Sequence, residues 1–144
     1  GRRYKARVMV FDTKNDIAVL VAPGLLAKPL ALGDPEGDAE VAILGFPRNG
    51  KLKAVAGRVG KTSSVLAQDI YGKTPTLRLV TSLAGKVEHG NSGGPAVDAS
   101  GRVQSTVFGE SKADGTTLGV PAALVKAALA RIGDQPVDTG ACVG

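Results

Sequence analysis

Histidine and cysteine occur once each in this sequence, tryptophan not at all, and the aromatic side chains amount to three Phe and two Tyr. One His and one Cys without clustered carboxylates form no recognisable zinc site, so no metal is expected. No apolar run reaches the length of about 20 residues that spans a bilayer, and the polar N-terminal residues do not resemble a signal peptide. Any membrane contact is therefore expected only through a segment upstream of residue 1. The net charge of +5 is spread along the chain, apart from Arg2, Arg3, Lys5 and Arg7. Without aromatics to stack bases, that cluster reads as a solvated basic strand, and no nucleic-acid partner is expected.

What is present is enough apolar residue, 43% of 144, for one domain with its own core. The core material is Val, Ala, Gly and Leu, which suits packed sheets. From Tyr4 to Phe11 the residues alternate, Ala6, Val8 and Val10 on one face and Lys5, Arg7 and Met9 on the other, as in a half-buried strand. After the turn "DTKND" comes Ile17 to Val21, a run suited to burial on both faces, and the two segments predict a hairpin. Pro and Gly punctuate residues 22–38, which read as a linker with a short extended piece at Ala27 to Leu30. Six strand-like runs follow within residues 39–121: "EVAILGF", "KLKAVAGRVGKTSSVLA", "TLRLVTS", "GPAVD", "GRVQSTVFG" and "TTLGV". Regular short strands between turns predict a barrel or sandwich. One helix is predicted, Pro121 to Gly133, with an apolar stripe at Leu124, Val125, Ala128, Leu129 and Ile132, and residues 122–144 form helix and tail.

Two motifs invite chemistry. "GRVGKTSS" hints at a phosphate-binding loop, but that motif needs glycine five residues before Gly60, where Val55 stands, so the stretch reads as a glycine-bearing strand and no cofactor is expected. "HGNSGGP", His89 to Pro95, is more specific. A serine attacks a carbonyl usefully when it projects from a tight turn and backbone N–H groups converge where the oxyanion forms. Gly90 permits its own N–H to lie beside that of Ser92, while Gly93 and Gly94 permit close approach behind the serine. A polar glycine-rich hairpin explains one or two of these glycines. Asp16 stands directly before the apolar run, where a carboxylate is expensive unless a partner holds it; it is either a turn residue or the acid that orients a catalytic histidine.

The pair "NDIAVL" and "GNSGGP", in that order and among six barrel-like strands, resembles the trypsin/chymotrypsin-like serine proteases and their HtrA/Deg-like bacterial members. The stretches "DIYGKTP", "VFGE" and "IGDQPVDTGACVG" are similar to an actinobacterial, membrane-anchored acid-resistance branch. The resemblance implies an all-β, chymotrypsin-like double barrel with a C-terminal α-helix, the second barrel complete and the first represented by its last strands, residues 1–21. It also implies a serine endopeptidase acting through an acyl-enzyme on peptide or protein substrates, on the extracytoplasmic side of the cell envelope. Ser92 would be the nucleophile, Asp16 the triad acid, and the N–H groups of Gly90 and Ser92 the oxyanion hole. The strand Ser105 to Gly109 would offer its edge to the substrate, with Phe108 and Gly109 at the primary pocket and His89 at the cleft rim.

In that family the general base is a histidine upstream of the Asp, and none of the 15 residues before Asp16 is His. The base is then expected in a missing N-terminal part of the same protease, with residue 1 a cleavage or other boundary. The resemblance implies a disulfide from Cys142 to that part, and this chain alone is expected to be nearly inert. The rival reading is a protease-like barrel that binds peptides without cleaving them.

Overall fold

In the computed structural model, which describes residues 2–72 and 74–140, the chain opens with an antiparallel hairpin of β1 (Arg7–Asp12) and β2 (Ile17–Val21). The strand alternation expected from Tyr4 starts later and is broken by a bulge between Val8 and Val10. An extra residue in one strand bends it and turns side chains to the other face, so Met9 is buried together with Val10. In β2 only one face is covered: Ile17, Val19 and Val21 are half-buried, whereas Ala18 and Leu20 are exposed. The expectation of burial on both faces is corrected accordingly.

The remaining strands are β3 (Ala31–Leu32), β4 (Glu40–Gly45), β5 (Lys53–Gln68), β6 (Pro75–Ala84), β7 (Pro95–Asp98), β8 (Arg102–Glu110) and β9 (Thr117–Pro121). Strands β4 to β9 coincide with the six predicted runs. They join in the order β8, β7, β4, β5, β6, β9, and β9 pairs back onto β8, which closes an antiparallel barrel. The phosphate-loop-like stretch lies inside β5. Strand β3 lies parallel to β8, slightly beyond the extended piece expected at Ala27 to Leu30. Val41, Ile43, Val59, Leu83, Ala96 and Val107 fill the barrel, the small aliphatic core that the composition implies.

The linker is fastened to this barrel by a polar network. Fully buried Gln104 donates to Asp98 Oδ2 at 2.6 Å and accepts from the Glu36 amide at 2.9 Å, while Arg102 bridges Asp98 and Glu36. The backbone N–H of Arg102 is the main reason the Asp98 carboxyl lies below its ordinary pKa; Gln104, the Ser100 amide and the Arg102 charge add to it against the opposing effect of burial.

The helix α1 (Ala122–Leu129) is shorter than predicted, and Pro121 is its N-cap rather than its first-turn residue. The amides of Arg131 and Ile132 bond carbonyls three residues back, which tightens the last turn before Gly133 is reached. Ala122 and Ala128 are buried, but Leu129 and Ile132 remain 42% and 41% exposed, so the outer part of the expected stripe is not covered. The following segment returns to the hairpin, with the Val137 amide on Val8 O at 2.9 Å. Cys142 lies outside the described residues.

Candidate active site

Ser92 lies in the connection from β6 to β7, and short-range constraints fix that loop. Gly90 has φ +102°, and a Cβ there would collide with the Phe46 carbonyl oxygen. Gly94 packs so closely on the Leu44 carbonyl that a Cβ would also collide there. Both sites therefore require glycine for a specific reason: handedness together with space at Gly90, and space at Gly94. The loop is stitched on two sides. Phe46 and Arg48 donate their amides to Gly90 O and His89 O, and Val107 exchanges hydrogen bonds with Gly93 and Gly94 at 2.7 and 2.9 Å.

The amides of Asn91, Gly93 and Gly94 are consumed within this stitching. Those of Gly90 and Ser92 donate to no protein acceptor among the described residues, and both residues are exposed. Two N–H groups without an acceptor among the described residues thus remain on the loop that carries the exposed serine; donors of this kind stabilise developing negative charge where they point at a common position.

Cavities open on both sides of Ser92. The first, about 570 Å³, is lined by Asp16 and β2 on one wall and by Ser92, Gly93, Thr106, Val107 and Phe108 on the other. Asp16 and Ser92, remote in sequence, thus share a cleft. The Asp16 carboxylate is not the buried charge that the sequence suggests; it is exposed, on a residue with φ +59°. The short polar side chain of Asp is among those that tolerate this left-handed conformation. The second cavity, about 370 Å³, is lined by Ser92 with Val87, Glu88, His89, Phe108, Gly109 and Glu110. His89 belongs to this cavity and not to the one containing Asp16, so it does not stand between the acid and the serine.

The substrate edge expected over Ser105 to Gly109 needs correction. Ser105 and Thr106 pair on one side with β7 and on the other with β9, and Val107 is held by the serine loop. Strand β7 begins at Pro95, opposite Thr106, so Phe108 to Glu110 of β8 keeps one unpaired side.

Three features of the site were missed in the sequence. Asn91 is 1% exposed, with an Oδ1 that has no partner, wedged against Gly45 beneath the loop. Its place inside "GNSGG" was the available signal, overshadowed by the glycines. The Arg78 guanidinium lies 4.5 Å from the centre of the Phe108 ring, and Arg48 pairs with Glu88 at 2.6 Å across the second cavity's rim. Both contacts arise from tertiary packing, and no local pattern announces them. Among the described residues there is no group of three His, Cys, Asp or Glu arranged to hold a metal.

A model of the trypsin-like peptidase domain matches residues 1–104. The serine protease Rv3671c of Mycobacterium tuberculosis is 38% identical over 145 residues, covering 97% of this chain and 36% of the relative. A probable periplasmic DegP-like serine endoprotease of Halomonas elongata is 33% identical over 106 residues, covering 72% of the chain and 21% of the relative. The chain therefore spans about a third of the Rv3671c sequence. Its structure superimposes on the crystal structure of the Rv3671c protease in its active form with TM-score 0.90 at 37% identity, covering 98% of this chain and 64% of that one. Against the inactive form the TM-score is 0.77 at 34% identity, covering 90% and 68%.

Proposed function

The chain belongs to the trypsin-like peptidase family, and from that premise we propose that it is the portion of a serine endopeptidase that carries the nucleophile Ser92, the acid Asp16 and the oxyanion hole. The single observation that carries the reading is that Asp16 and Ser92 line one cleft; the Gly90 and Ser92 amides, with no acceptor among the described residues, are consistent with it. Peptide or protein substrates would lie along Phe108 to Glu110, with the side chain before the scissile bond in the cavity of His89, Phe108 and Gly109.

Ser92 needs a base to remove its proton, and His89 lies in the wrong cavity to be oriented by Asp16. The base is assigned to a histidine upstream of this chain, on the rest of the first barrel, whose docking would cover the exposed face of β2. Residues 1–21 are then the last strands of that barrel, 22–38 the linker and 39–121 the second barrel. We place the protein on the outer side of the membrane, anchored through upstream sequence, in line with the periplasmic relative. No helix among the described residues is long and apolar enough to cross a membrane.

A fluorophosphonate probe on the full-length protein tests this reading. Labelling that disappears in Ser92→Ala supports it. A serine that stays unlabelled under conditions that label a trypsin control favours a peptide-binding module without catalysis. The 144-residue chain by itself should turn over peptides at a small fraction of the full-length rate, since losing one triad member leaves only about 10³ to 10⁴-fold over water.

A further inference from the structure

The turn that presents Asp16 is held from a distance. Asp12 and Ile17 form the last rung of the first hairpin, and residues 13–16 close it. The Asp12 carboxylate uses both oxygens inside this turn, accepting from the Asn15 amide on Oδ1 and from Asn15 Nδ2 on Oδ2, each at 3.0 Å. Arg131, just past α1, donates from Nη1 to the same Oδ2 at 2.9 Å. The Asp12 side chain is 12% exposed while that of Arg131 is 57% exposed, so the carboxylate end of the pair is largely covered and the guanidinium end faces solvent. On the other side of the turn, Ile70 at the tip of the β5–β6 hairpin donates its amide to Thr13 O at 3.3 Å. Asp16, at the end of the turn, keeps a left-handed backbone, and such a conformation persists where its surroundings fix it.

We propose that Arg131 and Asp12 are positioning residues for the catalytic acid: the segment that follows the helix fixes, through the Asp12 carboxylate and Asn15, the turn that aims Asp16 into the cleft of Ser92. The proposal rests on the reading of Asp16 as the triad acid. Asp12 is well suited to the task because its carboxyl lies below its ordinary pKa: burial alone would raise it, and the hydrogen bonds from Asn15 and Arg131, with the Arg131 charge, outweigh that. A misplaced orienting group affects the transition state more than substrate binding, since displacement of about 1 Å can cost up to 10²-fold in rate.

The test uses the full-length protein and three substitutions at a position that touches neither cavity. Arg131→Gln should lower kcat and the rate of fluorophosphonate labelling about 10- to 100-fold, with KM changed less than twofold. Arg131→Lys should restore most of the rate, and Arg131→Met should behave like Gln. A Gln variant that melts earlier yet labels at the wild-type rate would overturn the proposal, because the pair would then be structural only. So would a change confined to KM. If Arg131→Gln unfolds below the assay temperature, Asn15→Ala loosens the same turn with the ion pair in place, and a wild-type kcat there overturns the proposal equally. Failure of the wild-type protein to label defeats the underlying reading instead, and is told apart by that control.

Discussion

At the scale of single residues, the candidate site depends on backbone that only glycine can adopt. Gly90 combines φ +102° with a Cβ direction blocked by the Phe46 carbonyl oxygen. Gly90→Ala must therefore rotate the peptide or push the 46–48 turn aside, and a rotated peptide would turn the Gly90 N–H out of the oxyanion hole proposed above. The loss of one oxyanion donor costs about 10² to 10³-fold in kcat. Steady-state kinetics of full-length Gly90→Ala should give a fall of that size, with KM little changed. An unchanged kcat would remove the Gly90 amide from the oxyanion hole. The serine and its glycines were legible in the sequence because a turn of this kind is encoded locally. Asn91 and Arg78 were not, since one matters through burial beneath the loop and the other through a ring on a different strand.

At the scale of elements, β8 changes its pairing along its length. Ser105 to Val107 are paired or stitched on both sides, whereas Phe108 to Glu110 turn one unpaired side toward the cavity of His89. Gly109 belongs to this second part, and a Cβ there would meet nothing within 4 Å. Gly109→Val should therefore fold with an unfolding midpoint close to wild type, read by thermal melting. Its isopropyl group should narrow the cavity and lower kcat/KM at least tenfold for large side chains before the scissile bond, while sparing substrates with Ala there. Equal loss for both substrates would place the primary pocket elsewhere. The strand was found in the sequence by its alternation. The switch from paired to open was not, because it depends on where β7 begins opposite β8, a property of register.

At the scale of the whole molecule, the hairpin, linker, barrel and tail are held together by carboxylates whose pKa values are lowered. Asp98 at the end of β7 holds Arg102 and Gln104 of β8, which in turn hold Glu36, and Asp12 fastens the hairpin turn to the segment after α1. A carboxyl with a folded-state pKa below its unfolded value of about 3.9 stabilises the fold fully above that value. That stabilisation is lost as pH falls through the lowered, folded-state pKa. The unfolding midpoint should thus change little between pH 7 and about pH 5 on account of these groups and fall below about pH 4. Asp98→Asn and Asp12→Asn should start from lower midpoints at pH 7 and lose less on acidification than the wild type. Parallel curves for wild type and variants would show that neither carboxylate carries the effect.

The sequence by itself determined the strands β4 to β9, the hairpin before them and the glycine-serine loop, because period-two alternation and turn chemistry act over a few neighbouring residues. It also determined that a catalytic histidine upstream of Asp16 is not among these residues. The tertiary structure alone decided that β9 closes onto β8, that a bulge turns Met9 inward, that the helix ends at Leu129, and that Asp16 reaches the cleft of Ser92 as an exposed residue. Each of those outcomes depends on packing between segments distant in the chain, where the free energy of one residue's position is set by partners that its own neighbourhood does not name.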